Sequence, residues 1–272
     1  MTAGQKQDAS EGGFGPLFSL GPGYHFSMHP KLRCLEFQTA DGPTLMATDE
    51  ALIKSALAGQ ARLRFYTWAV PTVSLGYFQS HADLARHPRL AGLPVVRRHT
   101  GGGAIVHHHE LTYALALPAG PPWHTDESWL CRFHHVVGRA LRHLNITTVK
   151  PVICGEEKKL GPFLCFQHQT PGDLVAGGSK IVGSAQRRPH GAVLQHGSIL
   201  LAQSEHAPEL PGLRELTGID IRAKTLADDI RSFLFAETGW PLGPSRLTAE
   251  ELADVAAIRD NKYASPDWTR KR

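Results

Sequence analysis

Arg97-Arg98-His99-Thr100-Gly101-Gly102-Gly103-Ala104-Ile105-Val106-His107 sets two cations and three consecutive glycines ahead of an apolar, strand-like run. Glycine has no Cβ, so three in a row let the backbone bend tightly and approach a ligand closely. Arginines beside such a bend suit an acidic or phosphorylated group. Standing alone, the stretch reads as a glycine loop with two solvated arginines. Two later clusters change that reading. One is Lys180-Ile181-Val182-Gly183-Ser184-Ala185-Gln186-Arg187-Arg188, and the other is Gln195-His196-Gly197-Ser198-Ile199-Leu200.

Around these clusters the hydrophobic pattern alternates between helix and strand periods. Residues 44 to 59 read as a helix through Leu45, Met46, Leu52, Ile53, Ala56 and Leu57. Leu63, Phe65 and Thr67 alternate with Arg62, Arg64 and Tyr66, as in a strand. Short strands are predicted at Thr72–Gly76, Pro94–Arg98, Ala104–His108 and Leu111–Leu117. The clearest helix is Ser128 to Leu144, whose Trp129, Leu130, Phe133, Val136, Val137, Ala140, Leu141 and Leu144 form one buried stripe. Ser128 is its N-cap, and Cys131 falls off the stripe. Strands follow at Phe163–Phe166, Asp173–Ala176, Ser179–Gln186 and Ala192–Ala202, with Gly177-Gly178 as a tight hairpin. Ala223 to Glu237 reads as a helix, and Thr248 with Glu251 opens another through a capping box.

Composition bounds the function classes. The chain has 272 residues, 42% of them hydrophobic, which is enough for one large α/β domain with a real core. No run approaches the roughly 18 apolar residues of a membrane span, and the first thirty residues show no secretory signal. Four cysteines, Cys34, Cys131, Cys154 and Cys165, include no C-x-x-C pair, which fits a reducing cytoplasm. A net charge of +4 without a basic stripe points to acidic protein partners and away from nucleic acid. In a continuous strand His107 and His109 would share one face and His108 the other. No histidine spacing supports a metal site.

In their order, four passages resemble the lipoate/biotin protein ligase superfamily, in its lipoate ligase and octanoyltransferase branch. Arg64-Phe65-Tyr66-Thr67-Trp68 through Pro71 to Ser74-Leu75-Gly76-Tyr77-Phe78-Gln79 resembles the family's first sheet strands. Arg97 to His107 resembles its arginine-glycine loop, Lys180 to Arg188 its lysine strand, and Gln195 to Leu201 the strand beside it. The resemblance spans residues 32 to 268, with Lys262-Tyr263 and Trp268 fitting the family's ending. It implies an α+β fold of mixed, largely antiparallel sheets with flanking helices, the biotin/lipoate protein ligase catalytic-domain fold. Residues 30–272 would be a single catalytic domain and residues 1–29 a flexible tail.

Read from its apolar neighbours alone, Cys165 in Phe163-Leu164-Cys165-Phe166 is a small buried hydrophobe. The resemblance implies more. The cysteine-dependent octanoyltransferases carry their nucleophile at a Cys-Phe step shortly before the lysine strand, where Cys165-Phe166 stands. Cys165 would take an octanoyl group from a carrier thioester and pass it to the lysine of a lipoyl domain, a covalent two-step transfer. Lys180 would anchor the acyl carbonyl and stabilise its oxyanion. Gly101, Gly102 and Gly103 would let the loop lie against the acyl chain or the carrier arm. Arg97 and Arg98 would pair inside the protein or meet the phosphate of that arm, and alternation lets only one face the site. His107 fits a strand histidine or a site residue equally. Gly183, Ser184, Ala185, His196 and Gly197 would frame the acyl pocket, with Leu75 and Val106 as further walls.

An ATP-dependent lipoate–protein ligase, using ATP and Mg, shares the glycine loop and the lysine strand. Cys165, the Glu110-Leu111-Thr112-Tyr113 stretch and an ending soon after Trp268 favour the transferase, which needs no cofactor. A non-catalytic carrier-binding module would have no use for Cys165 and Lys180 together, and no N-terminal DNA-binding helix pair supports a biotin ligase. The expected donor is octanoyl-acyl carrier protein or an octanoylated glycine-cleavage protein. The acceptor is a lipoyl domain, and the enzyme is a cytoplasmic monomer without nucleic-acid or membrane partners. Lys150 to Pro162 is unusually polar and reads as a mobile loop over the site.

Overall fold

The computed structural model describes residues 31–124 and 126–272. The tail expected at residues 1–29 lies outside them. The chain begins with β1 (Leu32–Leu35), β2 (Gln38–Ala40) and α1 (Gly42–Leu57), followed by β3 (Arg62–Trp68) and β4 (Thr72–Leu75). Next come β5 (Val95–Arg97), β6 (Ile105–His107), β7 (Glu110–Leu117), α2 (Trp129–His143), β8 (Lys150–Pro151), β9 (Lys158–Lys159) and β10 (His168–Gln169). The last third holds β11 (Leu174–Ala176), β12 (Ser179–Arg187), β13 (Val193–Leu200), α3 (Leu213–Thr217), α4 (Ala223–Thr238), β14 (Leu242–Ser245), α5 (Ala249–Ile258) and α6 (Pro266–Thr269).

One mixed sheet organises the molecule in the order β14-β1-β3-β7-β13-β12-β11-β8, with β2 paired to β3. Its centre is antiparallel, from β3 through β7, β13 and β12 to β11, while β1 and β14 add a parallel edge. Helices cover both faces. Phe133, Val137 and Leu141 of α2 and Leu226, Ile230 and Leu234 of α4 pack on one side. Leu45, Ala51 and Leu52 of α1, with Val255 and Tyr263, pack on the other. A small sheet, β5-β4-β6, stands apart with its own core of Val73, Leu75, Val106, Phe163 and Leu164. The residues singled out in the sequence come together where this small sheet meets the middle of the large one.

Local signals explain most boundaries. Ser128 accepts a hydrogen bond from Leu130 N and starts α2. Thr248 and Glu251 exchange the two bonds of a capping box at α5. Gly177 and Gly178 both take positive φ, 55° and 82°, which the two-residue β11–β12 hairpin needs. α1 starts at Gly42, two residues before the predicted start, because Asp41 caps Thr44 N at 2.8 Å and Pro43 suits the first turn.

Two expectations are corrected. Phe163–Phe166 is not a strand. Leu164 makes a single parallel bridge to Ala104, and Cys165–Gln167 then turns as a 3₁₀ helix. The histidine run does not alternate, because β6 ends at His107 and His108 and His109 stack on each other in the bend that follows. On β3 the Arg62 and Arg64 side is buried like the other. Arg64 pairs with Asp49 of α1 at 3.0 Å and Arg62 with Glu251 of α5 at 2.8 Å.

Candidate active site

The glycine loop joins β5 to β6; Arg98 holds it from within, while Arg97 clamps the segments beside it. Arg97 is fully buried and binds the carbonyls of Gly76, Gln79 and Thr269 at 2.6 to 3.1 Å. Arg98 binds Ser74 O and Oγ at 2.7 Å, and the carbonyls of Gly101 and Gly103 at 3.2 and 2.9 Å. A tight glycine bend turns its carbonyls inward, and buried carbonyls need donors. Both arginines therefore spend their donors on backbone, which leaves no phosphate-binding fork on Arg97. Arg98 is the one of the pair that borders the cavity below. Burial lowers the pKa of Arg98, with the Cys165 sulfur among the groups that oppose this.

The glycines set how closely the segments meet. Ala104 N donates to Phe163 O at 2.9 Å and Cys165 N to Ala104 O at 2.8 Å, hanging the cysteine segment on the end of the glycine loop. A Cβ on Gly103 would fall 2.8 Å from Cys165 N and from Phe163 O. Gly102, at φ 96°, sits between Cys165 and Arg98: its Cβ would lie 3.7 Å from Cys165 Sγ and 3.5 Å from an Arg98 nitrogen. Backbone packing of this kind excludes any larger residue at Gly103.

A cavity of about 250 Å³ opens between this loop and the large sheet. Its walls include Cys165, Phe166, Gly101, Gly102, Ile105 and Met46, then Gly183, Ser184, Ala185, His196 and Gly197 from β12 and β13. Leu75 and Val106, expected as walls, belong instead to the core of the small sheet, and Ile105 takes their place. The polar wall residues are satisfied from behind. His196 bonds Thr100 Oγ1 at 2.6 Å and Asp49 at 3.0 Å, and Tyr66 donates to Asp49 at 2.9 Å. His107 bonds Ser74 Oγ at 2.6 Å and Glu110, and stacks on Trp68. Burial lowers its pKa against the pull of Glu110. Thr112 and Ser198 also donate to Glu110, at 2.6 and 3.2 Å. Groups occupied in this way present carbon to the cavity, which suits an acyl chain.

Lys180 does not border the cavity directly. Its ammonium is buried against Asp173 at 2.7 Å and lies 5.5 Å from the Phe166 ring centroid. The β11–β12 ladder shifts register between Leu174 and Val175, beside the lysine, and its stem runs under Gly183. A Cβ there would fall 2.3 Å from Lys180 Cε and 2.8 Å from Nζ. Only an absent side chain thus separates the ammonium from the cavity wall.

Several contributors were not singled out from the sequence. Asp173 also accepts from Thr170 N at 2.8 Å, so its carboxylate is fixed before it meets the lysine. His134 of α2 binds Gly172 O at 2.6 Å and the Ser184 hydroxyl, which in turn meets Tyr113 OH. Gln195 donates to the same Tyr113 oxygen at 3.0 Å. This chain runs under Gly197, whose Cβ would fall 2.8 Å from Tyr113 OH and 2.6 Å from Ser184 Oγ. Burial pulls the His134 pKa down to about 4, so the imidazole is neutral near pH 7. Tyr113 was visible in the Glu110–Tyr113 stretch. The sequence signal for His134 was its place on the α2 stripe, four residues after Leu130 and three before Val137, which its exposed neighbour His135 lacks.

Residues 41–207 match the lipoyl protein ligase A/B catalytic domain. The octanoyltransferase LipM of Moorella thermoacetica is 34% identical over 279 residues, covering 88% of this chain and 98% of its own. Protein Ta0514 of T. acidophilum superimposes with a TM-score of 0.72 at 21% identity, over 90% of this chain and all of its own. A lipoate-protein ligase A solved with ATP gives 0.71 at 22% identity, over 89% and 99%. The two superpositions speak to the fold. With the sequence match over most of its length, the chain belongs to the lipoyl protein ligase A/B catalytic-domain family.

Proposed function

We propose that the protein is an octanoyltransferase that works through an acyl-enzyme on Cys165. The observation that carries this is the position of Cys165. It borders a largely carbon-lined cavity, hung on a glycine loop, with two buried cations close by. The Cys165 thiolate attacks the carbonyl of an octanoyl thioester, the carrier thiol leaves, and the octanoyl group sits on Sγ. The acceptor lysine then attacks that carbonyl. The cysteine leaves as thiolate, the amine loses its proton, and an amide forms. The amide is the more stable product, so the transfer needs neither ATP nor a metal.

Lys180, fixed by Asp173, stabilises charge on the reacting oxygen from beneath Gly183. Gly183, Ser184, Ala185, His196 and Gly197 wall the octanoyl chain, whose burial is worth about 0.8 kcal/mol per CH₂. Gly101 and Gly102 admit the end of the carrier arm. The donor is an acyl carrier protein or an octanoylated glycine-cleavage protein, and the acceptor is a lipoyl domain. Residues 30–272 act as one catalytic unit, a monomer in the cytoplasm. Among the described residues no helix is long and apolar enough to cross a membrane.

The test is a transfer assay into a lipoyl domain. Octanoyl-carrier protein without ATP should modify the acceptor lysine, and free lipoate with ATP and Mg should not. Modification only with ATP and a free acid would replace this reading with that of a ligase.

A further inference from the structure

Beside the cavity mouth the described surface carries an exposed aromatic among cations that no carboxylate holds. Phe78 is 72% exposed, and its ring lies 3.9 Å from where a Cβ of Gly101 would stand. With the half-buried rings of Tyr77, 4.9 Å from it, and Trp268, 6.0 Å beyond, it forms a contiguous aromatic patch at the pocket rim, and such patches mark contact surfaces. Arg272 lies 5.4 Å from the Phe78 ring and 5.2 Å from that of Tyr77, and Lys271 lies over Tyr77 and Trp268 at 3.8 and 3.5 Å. These cations draw the Tyr77 pKa down. Across the mouth, Arg188 bonds the side chain of Gln186, a wall residue. The ion pairs of this region, Arg259 with Asp260 and Lys262 with Glu50, include none of Arg188, Lys271 and Arg272 among the described residues.

The surface is also built to hold its shape. Arg97 binds carbonyls of the Gly76–Gln79 turn and of Thr269, and Trp268 Nε1 donates to Arg97 O at 2.8 Å, so one buried guanidinium locks both segments together. Gln79 joins the turn to the nucleophile segment, donating to Phe163 O at 3.1 Å while it accepts from Gly76 N at 2.9 Å. The neighbour of Phe78 is thus tied to backbone two residues before Cys165, so a partner seated on Phe78 would rest on a fixed frame.

We propose that the Phe78 turn and the Lys271–Arg272 cations form the docking surface for the acyl donor, a protein with an acidic face around the base of its thioester arm. The proposal rests on the acyl-transfer reading above. Charge complementarity selects the occupant. Unpaired cations ringing an exposed phenylalanine favour a carboxylate-bearing protein surface and steer its approach. The position at the mouth favours the molecule whose arm must enter.

The test uses the full chain and two donors, octanoyl-carrier protein and octanoyl-pantetheine, which has neither protein nor phosphate. The variants are Lys271→Glu with Arg272→Glu, and separately Phe78→Ser. The charge reversal should raise KM for the protein donor roughly tenfold, leave kcat near wild type and flatten the salt dependence. Acylation by octanoyl-pantetheine should not change. An equal loss with both donors, an unchanged KM for the protein donor, or a rise confined to the acceptor's KM would each overturn the proposal. Failure of wild type to be acylated by either donor would instead remove the acyl-enzyme reading itself.

Discussion

The lysine side and the cysteine side of this cavity are built in opposite ways. Lys180 sits on β12, a strand with β11 on one side and β13 on the other. Its ammonium is buried against a carboxylate that is itself held by Thr170. Cys165 sits on a three-residue 3₁₀ turn whose main tie is a backbone exchange with Ala104, and the segment before it is largely exposed from Lys150 to Leu160. The charge is fixed by a ladder and an ion pair, whereas the thiol is placed by the absence of side chains at Gly102 and Gly103. A site of this kind holds its electrostatics constant while leaving the thiol room to meet two different substrates in turn.

The lysine side should break hardest. Asp173→Ala leaves an ammonium buried without its partner, and removing one member of such a pair costs about 3–5 kcal/mol. Urea unfolding of this variant should show that loss, and a midpoint equal to wild type would mean that Lys180 finds water or another partner at once.

Acid should weaken the same wall through His134. Folded His134 titrates at about 4 because burial disfavours its charged form, against 6.5 for an ordinary histidine. The unfolded chain therefore binds more protons between those values. Stability from this group is complete above pH 6.5 and falls as pH drops toward 4, by about 3 kcal/mol in all. Burial pushes His99 and His107 the same way. Melting temperature measured from pH 7 to 4 should fall less steeply in His134→Gln than in wild type, and parallel curves would remove the histidine from the account.

The cysteine side should fail in rate more than in stability. Gly103→Ala pushes a methyl into Cys165 N and Phe163 O at 2.8 Å. A displacement of about 1 Å at a reacting group costs on the order of a hundredfold in kcat. Single-turnover acylation should show it as a loss larger than the accompanying fall in melting temperature accounts for. A large drop in melting temperature with normal acylation would contradict the contrast drawn here.

The smallest effect lies far from the cavity. Thr248→Ala removes the α5 cap at a cost of about 1 kcal/mol. It should lower the melting temperature slightly and leave acylation untouched.

What could be read from the sequence follows the range of the interactions. The α2 stripe, the Gly177-Gly178 hairpin and the α5 capping box are local, and each stands where its residues predict. The cavity walls from β12 and β13 were legible because a motif keeps a strand in register. Asp173 and His134 were not, since each matters through a partner that only the fold brings near. Arg97 and Arg98 show the same limit within one motif. Neighbours in sequence, they bind different segments, and only three-dimensional placement tells the clamp of the surface turn from the neighbour of the thiol. The apolar run Phe163–Phe166 misled because its pattern suits a strand while Ala104 offers it a single bridge.

The most direct test of the central claim is intact-mass spectrometry of the protein after mixing with octanoyl-carrier protein in the absence of ATP. Wild type should gain one octanoyl mass that hydroxylamine removes, and Cys165→Ala should gain none. An adduct that survives in Cys165→Ala, or none on wild type while the acceptor lysine is still octanoylated, would contradict an acyl-enzyme on Cys165.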